Sequence, residues 1–87
     1  MMAKIKVLYF ASLREQLGYA EDIIDVPQAG FDIQSLITLL GEKKPQVKAV
    51  LTETPRLRAA LNQTLVSFTT AVKPGDEVAF FPPMTGG

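Results

Sequence analysis

Asp32-Ile33-Gln34-Ser35-Leu36-Ile37-Thr38-Leu39-Leu40 is the stretch whose reading decides the fold. Ile33, Leu36, Ile37 and Leu40 follow the i, i+3, i+4, i+7 spacing of a helix with one apolar stripe, and Gln34, Ser35 and Thr38 fall on its polar side. Asp32 offers an N-cap, and the helix should end before Pro45, because the residue preceding a proline avoids helical geometry. Such a stripe is buried by lying across a sheet, so the flanking segments should supply strands.

Upstream, Lys4 to Phe10 alternates imperfectly, with Ile5, Val7 and Tyr9 on one face and Lys6, Leu8 and Phe10 on the other, the pattern of a strand covered on one side and partly on the other. Ser12-Leu13-Arg14-Glu15 has capping-box spacing, and Gly18 can take the left-handed C-terminal position, which fits a short connecting helix. Glu21 to Val26 reads as a second strand stopped by Pro27.

Downstream, Val47, Val50 and Leu51 suggest one further helical turn, and Pro55 cannot continue it. Arg58 to Leu61 and Leu65 to Phe68 flank a hairpin turn at Asn62-Gln63-Thr64. Lys73-Pro74-Gly75-Asp76 has the signature of a type II turn and launches a last strand, Glu77 to Phe81, which Pro82-Pro83 must end. Strand, strand, long helix and three more strands predict an α+β fold: a mixed sheet of about five strands with one main helix across one face, as in the ubiquitin-like β-grasp. A ferredoxin-like arrangement needs a second full-length helix late in the chain, and Leu61 to Phe81 leaves little room for it.

The 87 residues amount to one domain, expected over 1–81 with a tail at 82–87, and 47% hydrophobic against 21% charged residues is a globular composition. Nine basic side chains balance nine acidic ones without forming a stripe, so nucleic acid is not an expected partner. No apolar run approaches the ~20 residues of a membrane span, and the first residues lead into a strand pattern without a cleavage signal, so the expectation is a cytoplasmic chain with no membrane partner. The absence of cysteine and histidine removes disulfides, thiolate nucleophiles, imidazole bases and most transition-metal ligands.

That leaves the chain end, Pro82-Pro83-Met84-Thr85-Gly86-Gly87. Pro-Pro favours an extended helix that holds the chain away from the body, and glycines without a Cβ pass through narrow channels. Six residues reach about 20 Å, enough to enter another protein's active site. The working group is then the Gly87 carboxylate. A carboxylate is a poor acyl donor, so it needs an ATP-using partner to activate it, and nothing in this chain looks able to bind ATP. Within the last strand Ala79 and Phe81 point away from the helix side, so Phe81, Leu65, Phe10 and Leu8 are candidates for an apolar docking patch around the base of the tail. The acidic pairs Glu21-Asp22 and Asp76-Glu77 read as solvated surface rather than metal ligands, and Lys43-Lys44 is accounted for by the dipole of the preceding helix.

Gly75-Asp76-Glu77-Val78-Ala79-Phe80-Phe81-Pro82-Pro83-Met84-Thr85-Gly86-Gly87 closely resembles the end of the small subunits of molybdopterin synthase, a ubiquitin-like sulfur-carrier family. Lys4 to Leu17 and Asn62-Gln63-Thr64-Leu65-Val66 extend the likeness over essentially the whole chain, and Pro-Pro-x-x-Gly-Gly is its specific part. The resemblance implies that an ATP-dependent activating enzyme adenylates Gly87, that persulfide sulfur converts it to a thiocarboxylate, and that the tail inserts into the large synthase subunit of a heterotetramer. There it would donate sulfur toward the dithiolene of molybdopterin, starting from cyclic pyranopterin monophosphate. Gly87 would be the carrier, Gly86 its unhindered neighbour, and Pro82, Pro83, Met84 and Thr85 the threaded segment. The chain itself would bind no cofactor and would be no enzyme alone. A carrier for another pathway of the thiamin type and a protein modifier are the alternatives.

Overall fold

The computed structural model describes residues 3–26 and 30–83. The elements in chain order are β1 (Ala3–Tyr9), α1 (Ser12–Leu17), β2 (Glu21–Val26), α2 (Ile33–Lys43), α3 (Pro45–Glu53), β3 (Arg58–Leu61), β4 (Thr64–Val66) and β5 (Glu77–Phe81). The strands form a five-stranded sheet in the order β2-β1-β5-β3-β4. Only β1 and β5 run parallel, with Val7 opposite Val78 and Tyr9 opposite Phe80; every other pair is antiparallel. The mixed sheet crossed by a helix that the sequence predicts is the observed architecture.

The apolar stripe of α2 behaves as its spacing demands. Ile33, Leu36, Ile37 and Leu40 are all buried, in one cluster with Ile5, Val7, Tyr9, Val78 and Phe80 from the central strands. The start of α2 is fully capped: the Asp32 carboxylate accepts from the Ser35 N–H at 2.8 Å, while the Phe68 and Thr70 carbonyls accept from the Gln34 and Ile33 N–H groups. The accepted hydrogen bond holds the Asp32 carboxyl below its usual pKa.

Three local expectations need correction. The residues after Pro45 form a nine-residue helix rather than one turn, because Pro45 sits in its first turn and Val47 and Leu51, four apart, are both buried. Gly41 lets this helix lie close to α2: a Cβ there would stand 2.5 Å from the Lys48 side chain. Secondly, Ser12 is no N-cap. A tight turn, in which the Phe10 carbonyl accepts from the Leu13 N–H at 3.1 Å, puts Ala11 at the cap position with φ 54°, and Ser12 becomes the first helical residue. Gly18 does take the left-handed position at the end of α1, with φ 83°.

The third correction concerns the hairpin. Its turn is Asn62-Gln63 alone, both at positive φ, and Thr64 already pairs with Leu61. That is the geometry of a two-residue turn matched to strand twist. β4 therefore starts and ends earlier than expected, and Phe68 leaves the sheet to pack on the core edge. The Lys73–Asp76 turn is as expected, with Gly75 at φ 85° and the Asp76 N–H bonded to the Lys73 carbonyl at 3.1 Å.

Gln63 carries a Cβ at φ 72°, where glycine is free of the clash. Gln63→Gly should therefore stabilise the domain by about 0.5–1 kcal/mol and raise its thermal midpoint by a few degrees. A lowered midpoint in a calorimetric scan contradicts this account of the turn.

Candidate functional site

Strand alternation sorts side chains into a covered and an open face. On β5, Val78 and Phe80 are buried against the helices, whereas Ala79 and Phe81 are half-buried on the other side. Register then aligns the neighbours. Leu8 stands opposite both Glu21 and Ala79, Ala79 opposite Ala60, and Ala60 opposite Leu65, so one row crosses all five strands: Glu21, Leu8, Ala79, Ala60, Leu65. Ala60 is only 9% exposed yet belongs to the open face and not to the core cluster, which shows how closely this row packs.

A second row lies one step nearer the chain end. The Phe10 N–H donates to the Phe80 carbonyl at 3.1 Å, continuing the ladder, and Phe81 stands opposite Arg58. Phe10 and Leu65 remain 46% and 55% exposed, although water-facing large apolar groups are otherwise few among the described residues. The four predicted docking residues, Phe81, Leu65, Phe10 and Leu8, thus share one face. Ile23, 54% exposed and opposite Lys6, extends that face along β2. Sequence reasoning passed over it, although the inward alternation of Ile24 and Val26 already turned Ile23 outward.

Pro82 and Pro83 follow Phe81 directly and line one side of a groove of about 300 Å³ with Ser12 and Gln16 of α1 and with Glu53, Thr54 and Pro55. The base of the tail is therefore flanked by aromatic rings on one side and by hydroxyl, amide and carboxylate groups on the other. Met84, Thr85, Gly86 and Gly87 lie outside the described residues.

Residues 7–87 match the ThiS family, which is nearly the whole chain. The chain belongs to the ThiS family. It is 44% identical over 85 residues to the molybdopterin synthase sulfur carrier subunit of Escherichia coli, with 95% of this chain and 99% of the relative covered. Its fold matches two structures of small archaeal modifier protein 1 of Haloferax volcanii, each with a TM-score of 0.79 at 22% identity, over 97% and 94% of this chain and 99% of the other. A complex of subunits 1 and 2 of the molybdopterin-converting factor from Helicobacter pylori contains a chain with a TM-score of 0.64 and 25% identity, covering 97% of this chain and 99% of that one. A β-grasp fold is thereby shown, together with a family whose curated members include small sulfur-carrier subunits.

The covered face holds a polar centre that the sequence reading missed. Asp22, expected as solvated surface, points inward, as the alternation with Ile24 and Val26 requires, and its side chain is 11% exposed. The Tyr9 and Tyr19 hydroxyls donate to its Oδ2 at 2.9 and 3.0 Å, and the Lys44 ammonium donates to Oδ1 at 2.6 Å. Lys44 also lies 4.9 Å from the centroid of the Tyr19 ring, so its role goes beyond the helix dipole. Asp76 likewise serves its own turn, accepting from the Lys73 N–H at 2.8 Å. Among the described residues no cluster of acidic groups could hold a metal ion.

Burial first, and then the hydrogen bond to Asp22, push the Tyr9 hydroxyl far above its ordinary pKa; burial and the same carboxylate raise Tyr19 as well. The hydrogen bond to Asp22 raises Lys44. All three groups are held in their protonated forms more firmly than in the unfolded chain. Their contribution is complete below about pH 10 and is lost as pH rises through the folded-state values. Denaturant titrations should show a decline in stability beginning near that pH. Tyr9→Phe should cost about 1 kcal/mol at pH 8 and make the alkaline decline shallower; an unaltered alkaline slope refutes the assignment.

Proposed function

We propose that this chain works as the sulfur-carrier subunit of molybdopterin synthase, its Gly87 carboxylate being converted to a thiocarboxylate that gives up sulfur to a pterin substrate in a large-subunit partner. The observation that carries the reading is the exit of the chain: β5 ends at Phe81 beside the exposed Phe10 ring and passes at once into Pro82-Pro83. Family membership supports the same role, in which the small subunit supplies a reactive end and the catalytic pocket belongs to the complex.

In chemical terms, a Gly87 carboxylate oxygen attacks the α-phosphorus of ATP held by an activating enzyme, with pyrophosphate leaving. The persulfide's terminal sulfur then attacks the acyl-adenylate carbonyl and AMP leaves, giving an acyl disulfide. A second thiol of the sulfur donor attacks the donor-side sulfur of that disulfide, forming a new disulfide on the donor and expelling the Gly87 thiocarboxylate. The body, residues 1–81, serves as the handle by which both partners grip the chain, while Pro82, Pro83, Met84, Thr85 and Gly86 form the spacer. Because binding energy comes from the body and reactivity from the tip, one domain can serve two machines in turn. No cofactor is required on this chain itself; ATP belongs to the activating partner. The same proposal places the chain in the cytoplasm.

Deleting Gly87 should abolish sulfur loading and transfer while leaving the thermal midpoint unchanged, because no core residue is touched. Intact mass after incubation with ATP, a sulfur source and the activating enzyme reads the loading directly: one oxygen is replaced by sulfur. Higher-mass conjugates on lysines in place of that exchange would point to a protein modifier instead. Phe81→Ala should weaken binding to the large subunit by about 2 kcal/mol, since a large aromatic anchor leaves the interface. Unchanged affinity removes Phe81 from the docking surface.

A further inference from the structure

Apolar burial has no direction, and the row Leu8-Ala79-Ala60-Leu65 is apolar across four of the five strands. A partner surface can meet such a row in two senses related by a half-turn, yet only one of them aims Pro82 and Pro83 at a given active site. Something on the face must therefore tell its two sides apart.

Charge does so. Lys4 is neutralised on the face by Asp25 at 3.2 Å, and Lys6 and Glu77, which form no ion pair, stand opposite each other with opposite sign and so set no direction along the row. Two charges without such an opposite neighbour are left over. Arg58 stands on β3 opposite Phe81, at the last pair before the tail, and Glu21 stands on the β2 edge opposite Leu8. Both are exposed, and among the described residues neither takes part in an ion pair. Three strand spacings and one two-residue step separate them, about 16 Å on the ordinary dimensions of a sheet. That exceeds the Debye length of about 8 Å at physiological salt, so each can pair separately without being cancelled by the other.

We propose that Arg58 and Glu21 form an orientation key for the large subunit: an acidic side chain of the partner meets Arg58, a basic one meets Glu21, and the apolar row seats between them. The inference rests on the docking role of the open face given above and adds what sets its direction. Rim charges of this kind act on encounter rate and on the choice between docking senses more than on final affinity. A wrong docking sense brings each charge against a like one and leaves the tail pointing away from the pocket.

The test uses the full-length chain and the purified large subunit, with association followed at low and at high salt and single-turnover sulfur transfer followed at saturating partner. Arg58→Glu and Glu21→Lys should each slow association about five- to tenfold at low salt, with the difference vanishing at high salt. The neutral variants Arg58→Gln and Glu21→Gln should fall between, and all four should keep the parent thermal midpoint. At saturation, Arg58→Glu should also transfer sulfur more slowly, because part of the complex is seated in the wrong sense. If Leu65→Ala weakens binding while the four charge variants associate and transfer like the parent, the face docks but carries no such key. An effect of the charge variants confined to the activating enzyme likewise overturns the assignment to the large subunit. If Leu65→Ala and Phe81→Ala also bind as the parent does, the docking face itself is wrong and the key falls with it.

Discussion

The parallel pairing of β1 with β5 is the constraint from which the rest follows. Val7 lies against Val78 and Tyr9 against Phe80 with all four side chains buried, so the first and last strands make the middle of the sheet. A parallel pair has no tight turn to join it and requires a long crossover. Here the crossover is nearly the entire chain, and the crossing helices are what bury the inner face. The pairing also decides where the chain end emerges: at the centre of the sheet edge, in line with Phe10, and not from a peripheral strand.

A sheet covered by helices on one side only must leave its other face to water or to a partner. In β1 and the residue after it this shows as two different sets, with Ile5, Val7 and Tyr9 buried and Lys6, Leu8 and Phe10 outward. Pure solvation would favour polar groups at every outward position, yet Leu8, Phe10, Ala79, Phe81, Ala60 and Leu65 occupy the half nearest the chain end. Lys4, Lys6, Asp25 and Glu77 lie in the other half, and among the described strand residues only Arg58 and Glu21 flank the apolar half. The division runs across strands far apart in sequence, so it belongs to the folded surface and not to any one segment.

Much of this was legible in the residues because it rests on local rules. The α2 stripe, the Asp32 cap, the Gly75 turn and the alternation of β5 each follow from one periodicity or one backbone preference, and each is found where expected. The failures share a cause: tertiary partners decided them. Nothing local told that Val47 and Leu51 would find a core deep enough to sustain nine helical residues, or that Lys44 would reach Asp22 across 22 positions. The capping box at Ser12 failed for a similar reason, since the need to expose Phe10 and bury Leu13 within three residues forces a tight turn that takes the cap position from Ser12. The proposed roles of Met84, Thr85, Gly86 and Gly87 rest on chemistry alone, on what the rest of the chain lacks.

That lack has a physical sense in a carrier. A thiocarboxylate is a competent sulfur nucleophile and, once activated, an acyl group open to attack, so reactive side chains on its own carrier are a hazard. With neither cysteine nor histidine, this chain offers no thiol to exchange with and no imidazole to catalyse hydrolysis. Lysine amines react only when deprotonated, and Lys44 is held in its charged form by Asp22. Polar side chains that help fix the fold, Tyr9, Tyr19, Asp22 and Lys44, sit on the covered side of the sheet, away from the open face. In the proposed role, reactivity can be concentrated at Gly87 because the body is stabilised by groups that take no part in the chemistry.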